Sequence, residues 1–424
     1  MKRRALIVVY ILGVWFVISF VTNIIGPLMP IIIRDFNLKL TLAGLLPFAF
    51  FLAYGVISIP AGSAVETYGA RNTLLAAFAL NLLGSLVIAL LPVYGAVIGA
   101  LFIIGLGMAM LQVVINPLMR TAGGEAHFAF FSVMGQLVFG LASFLSPLAF
   151  AWLMQPAAAA PAGVSSGPLA GALRALSPAA LPWVSLYWGF AAMFLILIAI
   201  TACMSIPQVR LSAEERTGTW MTYRRLLAER QVRLFFLGIV AYVGTEQSLA
   251  NWMSQFLSTY HHASPIVEGA QAVSLFWGWM AVGCVLGLLL LKLLDSQLVL
   301  GVFCTLAIAC VAVALYGSRE AALWAFPAAG FFLSVMFSIV FSLALNSATQ
   351  HHGALSGILC SGILGGALLP LLVGLLADWL GLRTAMAVVF VTLAYILSVA
   401  FWARPLVRNE TVSLSRMLGL SKTS

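Results

Sequence analysis

Twelve apolar runs, each about 20 residues long, constrain this 424-residue chain more than any other feature. A run of that length crosses the hydrocarbon core of a bilayer as an α-helix, because a helix satisfies its backbone hydrogen bonds internally. The composition agrees, since 63% of the residues are apolar and only 8% are charged. We therefore predict an all-α membrane protein with twelve transmembrane helices, surrounded by a lipid bilayer.

The runs form two sets of six. The first set covers residues 6–33, 41–64, 72–91, 95–118, 128–153 and 182–204, and the second covers 234–258, 269–291, 297–316, 322–345, 354–376 and 384–403. The segment between the sets is the most charged part of the chain. Two six-span halves joined by a polar linker are typical of secondary transporters built from repeats. We predict an N-terminal six-helix bundle at 1–204, a linker at 205–233, and a C-terminal bundle with a tail at 234–424.

The basic residues predict the orientation of the spans. With the amino terminus in the cytoplasm, sixteen of the 21 lysines and arginines lie on the cytoplasmic side, and five lie outside: Arg34, Lys39, Arg174, Arg319 and Arg383. This bias follows the positive-inside rule. The bias therefore predicts that the protein lies in the cell (inner) membrane. Both termini and the linker are predicted to lie in the cytoplasm. The bias also explains the net charge of +9 without a nucleic-acid partner.

The run at 234–258 contains one charged residue and a polar stripe. Glu246 lies about half-way along it, where a charge costs roughly 2.5–3.5 kcal/mol on insertion scales. Gln247, Asn251 and Gln255 repeat at every fourth position and share one helix face, which must meet protein or a watered cavity because unpaired amides cannot face lipid. Two interpretations of Glu246 remain: a buried carboxyl group that fixes helix packing, or a site that binds a coupling ion.

Amide side chains also occur in the fourth and fifth spans. Gln112 and Asn116 are neighbours on one helix face, and Gln136 lies in the following span. These amides either hold helices together by hydrogen bonds or bind a neutral, polyhydroxylated ligand. Trp252 and Trp277 offer flat apolar faces to a sugar ring, with aromatic core packing as the alternative.

Motifs for metal or cofactor chemistry are missing from the sequence. It contains no His-Glu-x-x-His, Cys-x-x-Cys or phosphate-binding loop. The five cysteines lie singly in apolar runs, without the spacing of metal ligands. We therefore expect no enzyme, no catalytic residues, no metal site and no cofactor.

Three segments match motifs of one transporter family. Residues 242–246 read Tyr-Val-Gly-Thr-Glu, residues 274–278 read Ser-Leu-Phe-Trp-Gly, and residues 111–117 read Leu-Gln-Val-Val-Ile-Asn-Pro. They are similar to the Tyr-Val-Gly-Ala-Glu, Ser-Leu-Tyr-Trp-Gly and Leu-Gln-Val-Ala-Ala-Asn-Pro of the fucose/galactose/glucose symporter family. This family lies within the major facilitator superfamily. The resemblance implies its fold of two six-helix bundles and a sugar as the substrate.

The first half departs from the family pattern at three places. Ile25 and Gly26 stand where the family carries Asn-Asp, Phe131 stands in place of an arginine, and Phe139 stands in place of an asparagine, whereas Gln136 matches. The first half has therefore lost polar groups that the family would use on its substrate. A more apolar or differently shaped solute remains an alternative to a sugar.

The leading hypothesis is a monomeric secondary active transporter for a small neutral solute, a hexose-like sugar, coupled to protons, with sodium as the alternative ion. Alternating access would occur around a mid-membrane site. Glu246 is the expected ion-coupling residue, and the expected substrate-binding residues are Gln112, Asn116, Gln136, Gln247, Asn251, Trp252 and Trp277. The alternatives are an exporter or facilitator of an amphipathic molecule on the same fold, and a membrane sensor or scaffold that binds ligand without flux.

The orientation can be tested with single cysteines at Ala158 and Thr217, in a background that lacks the native cysteines. Because the two positions are expected on opposite sides of the membrane, an impermeant thiol reagent should label them from opposite sides. Labelling of both positions from the same side would contradict the twelve-span topology.

Overall fold

The computed structural model describes residues 2–123, 128–154, 168–207, 220–347 and 352–404, and in these ranges it contains helices and no strand. The first half contains α1 (Lys2–Thr22), α2 (Ile25–Asp35), α3 (Leu40–Leu90), α4 (Tyr94–Gly123), α5 (Phe128–Met154), α6 (Pro168–Ala175) and α7 (Val184–Cys203). A short helix, α8 (Trp220–Ala228), precedes the second half. The second half contains α9 (Arg230–His261), α10 (Ala270–Leu293), α11 (Ser296–Tyr316), α12 (Arg319–Leu333), α13 (Met336–Asn346), α14 (His352–Ser361), α15 (Gly365–Leu380), α16 (Leu382–Met386) and α17 (Val388–Trp402).

Parts of three predicted segments lie outside the described residues. They are residues 208–219 of the linker, residues 155–167 of the loop between the fifth and sixth spans, and the tail from residue 405 onward. The described part of that loop contains α6, at Pro168–Ala175, several residues before the sixth span begins.

Eleven helical stretches of the described residues are long and apolar enough to cross a membrane, and they correspond to eleven of the predicted spans. The remaining predicted span is α9. Because it contains Glu246, Gln247 and Asn251, its composition is less apolar than that of the other eleven. It is nevertheless a continuous helix of 32 residues, about 48 Å long at the usual rise per residue. Within the described residues, the fold therefore has the predicted twelve transmembrane helices in two bundles of six.

Several spans are interrupted where the sequence places glycine and proline. The first span breaks between α1 and α2 at Asn23, because Pro27 has no N–H to donate to the Asn23 carbonyl group. In the eleventh span, the α-helix is interrupted by a 3₁₀ turn at Gly362–Leu364, between α14 and α15. The range of α3 covers both the second and the third span, which are separated by a kink at Gly69. The backbone there is not helical, and its φ of +80° is a conformation that favours glycine.

α9 lies on the side of the second half that faces the first half, in contact with α2 of the first half and α15 of its own half. Both contacts depend on glycine. A methyl group on Gly26 would overlap the carbonyl oxygen of Ala250, and one on Gly365 would overlap the carbonyl oxygen of Val240. Small residues at these positions let the backbones of the helices approach closely.

The two ends of the bundle differ. We call the end where α1 begins and α17 ends the terminal face, and the end where α2 and α3 finish the opposite face. The halves touch through α2 and α9, α3 and α15, and α5 and α10. The Ser274 hydroxyl group of α10 donates to the Phe144 carbonyl group of α5 at 2.7 Å, and Gly44 of α3 packs against Leu371 of α15. These contacts close the bundle at the opposite face.

Replacing Gly26 with alanine should destabilise the bundle, because the added methyl group meets backbone rather than a flexible side chain. We expect a loss of about 1–3 kcal/mol, measured as a lower unfolding temperature in detergent. Gly13→Ala is the control, since among the described residues no atom beyond its chain neighbours and the nearby backbone of its own helix lies within 4 Å of its added methyl position. Equal unfolding temperatures for the two variants would contradict the close contact of α2 with α9.

Candidate functional site

A cavity of about 500 Å³ lies between the two halves, in the size range of small-molecule sites. Its walls come from α1, α3, α4 and α5 of the first half and from α9, α10, α13 and α14 of the second. Leu291 lines it near the end of α10, and Phe341 lines it near the end of α13. Both helices end at the terminal face, so the cavity extends toward that face.

The Glu246 carboxyl group lies on the cavity wall formed by α9. The Tyr242 hydroxyl group, one helical turn away, donates to one carboxylate oxygen at 2.7 Å, and the Gln247 amide donates to the other at 3.0 Å. In the part of the chain that the structure describes, no cationic side chain forms an ion pair with Glu246. A carboxyl group held only by neutral donors can bind and release a cation without breaking an ion pair.

Two predicted amides of the first half also reach the cavity. Gln112 lines it from α4, and Gln136 lines it from α5. Neither side chain has a hydrogen-bond partner among the described residues, so both amides are available to a ligand. Asn116 lies four residues after Gln112 on α4, and its side chain is outside the described residues.

The polar residues of α9 divide into two layers. Gln247 lines the cavity, whereas Asn251, one turn nearer the opposite face, donates to the Gln247 carbonyl group at 2.8 Å and is 3% exposed. Trp252 is fully buried, and its indole N–H donates to the Pro370 carbonyl group at 3.0 Å. Asn251 and Trp252 therefore lie outside the cavity lining, in the packed layer that closes its end.

Tryptophan rings flank the cavity from both halves. Trp277 lines it from α10, and Trp15 lines it from α1. Both indole N–H groups are buried and have no partner among the described residues. The Trp15 ring contacts Phe139 edge-on, with ring centroids 6.4 Å apart. The site thus has two aromatic surfaces, each with an unused hydrogen-bond donor.

Sequence reasoning missed Trp15 and Asn23. Asn23 lies at the break between α1 and α2, where it lines the cavity and donates to the Ser143 hydroxyl group at 2.8 Å. An amide beside Gly26 and Pro27 was the available signal, since interrupted helices often line binding sites. Trp15 gave no signal, because a tryptophan in an apolar run is as compatible with packing.

Comparison with known proteins gives the same architecture. The chain is 31% identical over 396 residues to a glucose/galactose transporter of Brucella abortus, covering 90% of each chain. It is 22% identical to the L-fucose-proton symporter of Escherichia coli, covering 87% of this chain and 86% of that one. A crystal structure of the E. coli fucose:proton symporter superposes with a TM-score of 0.64 at 19% identity, covering 95% of this chain and 99% of that one.

The sequence pattern of the Major Facilitator Superfamily matches residues 11–361. This match covers most of the membrane-spanning part of the chain, and the twelve-helix architecture agrees with it. The protein therefore belongs to the major facilitator superfamily.

Proposed function

We propose that this protein is a secondary active transporter that moves a hexose-like sugar together with protons. The observation that carries the proposal is the cavity between the halves, whose lining brings together the amides of Gln112 and Gln136, which have no hydrogen-bond partner among the described residues, and the carboxyl group of Glu246. The names of the relatives in Brucella abortus and Escherichia coli, which refer to hexose transport and to proton symport, support the same function.

The groups around the cavity suit a neutral sugar. The free amides of Gln112 and Gln136 each offer donors and acceptors to hydroxyl groups, and Trp15 and Trp277 offer flat surfaces to a sugar ring. Among the described residues, no lysine or arginine side chain lines the cavity. An anionic substrate would therefore find no positive charge there. We propose Gln112, Asn116, Gln136, Gln247 and Trp277 as the binding groups.

A proton fits Glu246 better than a sodium ion does. Both carboxylate oxygens accept hydrogen bonds from Tyr242 and Gln247. A proton needs only one of these oxygens, whereas a metal cation needs several oxygen ligands at once. Coupling then follows if proton and sugar stabilise the same conformation, because the linkage between their binding is reciprocal.

We further propose that the terminal face is cytoplasmic, as the basic residues predict, and that the protein lies in the inner membrane. The cavity would then open to the cytoplasm, with the extracellular end closed by the contacts of α2, α3 and α5 with the second half. Alternating access requires the reverse arrangement in the other half of the cycle. Because one chain supplies the whole cavity, we propose a monomer as the transporting unit.

The apolar wall of the first half favours a second candidate. Phe139 and Trp15 form one side of the cavity, and an exporter or facilitator of an amphipathic molecule would use such a wall. This candidate predicts that apolar solutes compete for the site and that sugars do not.

Replacing Gln112 with alanine should weaken binding of the transported hexose at least tenfold, about 1.4 kcal/mol, because a free amide at the cavity wall is lost. Binding is measured on purified protein with a labelled sugar. Gln297→Ala is the matched control, since that amide caps the carbonyl groups of Ala400 and Ala403 away from the cavity. The control should keep its affinity. Unchanged affinity for Gln112→Ala would argue that this amide does not bind the sugar.

Replacing Glu246 with glutamine should abolish accumulation of sugar driven by a pH gradient. The amide keeps the size of the side chain and can hydrogen-bond to Tyr242, so exchange of labelled for unlabelled sugar should continue. Glu268→Gln is the control, because Glu268 pairs with Arg319 at 2.5 Å at the opposite face and should not affect coupling. Normal accumulation by the Glu246 variant, with the wild-type pH dependence, would make Glu246 a packing residue.

A further inference from the structure

At the opposite face, a carboxylate of the second half caps a helix of the first half. α3 begins at Leu40, and the preceding Lys39 side chain gives its first N–H groups no acceptor. Asp378, near the end of α15, supplies one. Its two carboxylate oxygens accept hydrogen bonds from the backbone N–H groups of Leu40 at 2.9 Å and Thr41 at 3.0 Å. These are the groups that a helix leaves unpaired at its start.

We propose that Asp378 is a latch that holds the two halves together at the opposite face and so sets the conformational balance of the transporter. The residues it joins are 338 and 337 positions apart in the chain and belong to different bundles. The cap therefore exists only while the end of α15 touches the start of α3. Opening the cavity toward the opposite face must separate these helix ends and break both hydrogen bonds to Asp378.

The surrounding groups strengthen this contact. The start of a helix carries partial positive charge, and the Lys39 side chain adds a full positive charge beside it, so a carboxylate is stabilised there. The ion pairs at this face in the described residues, Arg34 with Asp35 and Arg319 with Glu268, each lie within one half. They can persist in both states, whereas the Asp378 contact cannot.

The packing beneath Asp378 brings it into reach. Gly374, one turn earlier on α15, lies so close to the Leu40 carbonyl group that a methyl group would overlap the oxygen. Gly44, one turn into α3, lies against Leu371 and the Pro370 carbonyl group. The two helix ends thus meet without intervening side chains. A contact made in only one of two states shifts their populations by its free energy.

The test measures distances across the opposite face without substrate. Spin labels are placed at Val93 in the first half and Tyr316 in the second, which are 60% and 61% exposed, in a variant without the native cysteines. The protein is reconstituted in lipid nanodiscs, and pulsed electron spin resonance gives the ratio of long to short distances. Asp378→Ala should raise this ratio about fivefold, the effect expected of losing one helix cap. Asp378→Asn, which keeps the size but not the charge, should give a smaller rise.

Asp295→Ala is the matched control. Asp295 caps the start of α11 by accepting from the Gln297 N–H group at 2.8 Å, entirely within the second half. Its loss should lower stability and leave the distance ratio unchanged. A second label pair, at Tyr68 and Leu298 on the terminal face, should shorten in Asp378→Ala as the first pair lengthens.

Identical distance distributions for Asp378→Ala and the unsubstituted protein, or an equal shift in Asp295→Ala, would overturn the proposal. The measurement uses no sugar and no ion gradient, so its outcome is independent of the proposed substrate and coupling ion.

Discussion

A carboxyl group half-way along a membrane span must be kept away from lipid, and much of this structure follows from that constraint. Insertion of such a group costs roughly 2.5–3.5 kcal/mol when it has no polar surroundings. Here α9 carries Glu246 together with Gln247 and Asn251, and most of its residues are buried. Helices from both halves pack around it, and they come close because Gly26 and Gly365 leave its backbone accessible. The polar span is thereby placed where a site between the halves can form.

The same arrangement divides the centre of the protein into an open layer and a closed layer. Glu246 and Gln247 face the cavity. One turn further on, Asn251 and Trp252 instead donate hydrogen bonds to backbone carbonyl groups within the protein. A transport cycle needs the closed layer to open in turn, since access must alternate around a fixed site. The Asn251 amide and the Trp252 indole N–H group of the closed layer would then become available on the other side. The charge and packing at Asp378 act on the step between these states.

Sequence patterns predicted the spans and five of the groups that meet at the cavity: Gln112, Gln136, Glu246, Gln247 and Trp277. Glu246, Gln247 and the two glutamines of the first half could be recognised in the sequence because a polar residue in an apolar run is costly. The depth of the cavity could not be predicted. Polar residues at every fourth position show which face of the helix is polar, but they do not show where along that face the cavity ends. Asn251 and Trp252 were therefore grouped with Gln247. The Asp378 cap also escaped prediction, because nothing local relates it to a helix start 338 residues away.

Transport by the purified protein in liposomes would test whether this cavity couples a sugar to a proton. A panel of labelled hexoses would be offered under an imposed pH gradient or an imposed sodium gradient, with a pH-sensitive dye inside the vesicles. We expect at least one hexose to accumulate under the pH gradient, protons to enter with it, and no hexose to accumulate under the sodium gradient alone. Accumulation driven by sodium alone, or proton-linked movement of amphipathic solutes with no sugar transported, would contradict this expectation.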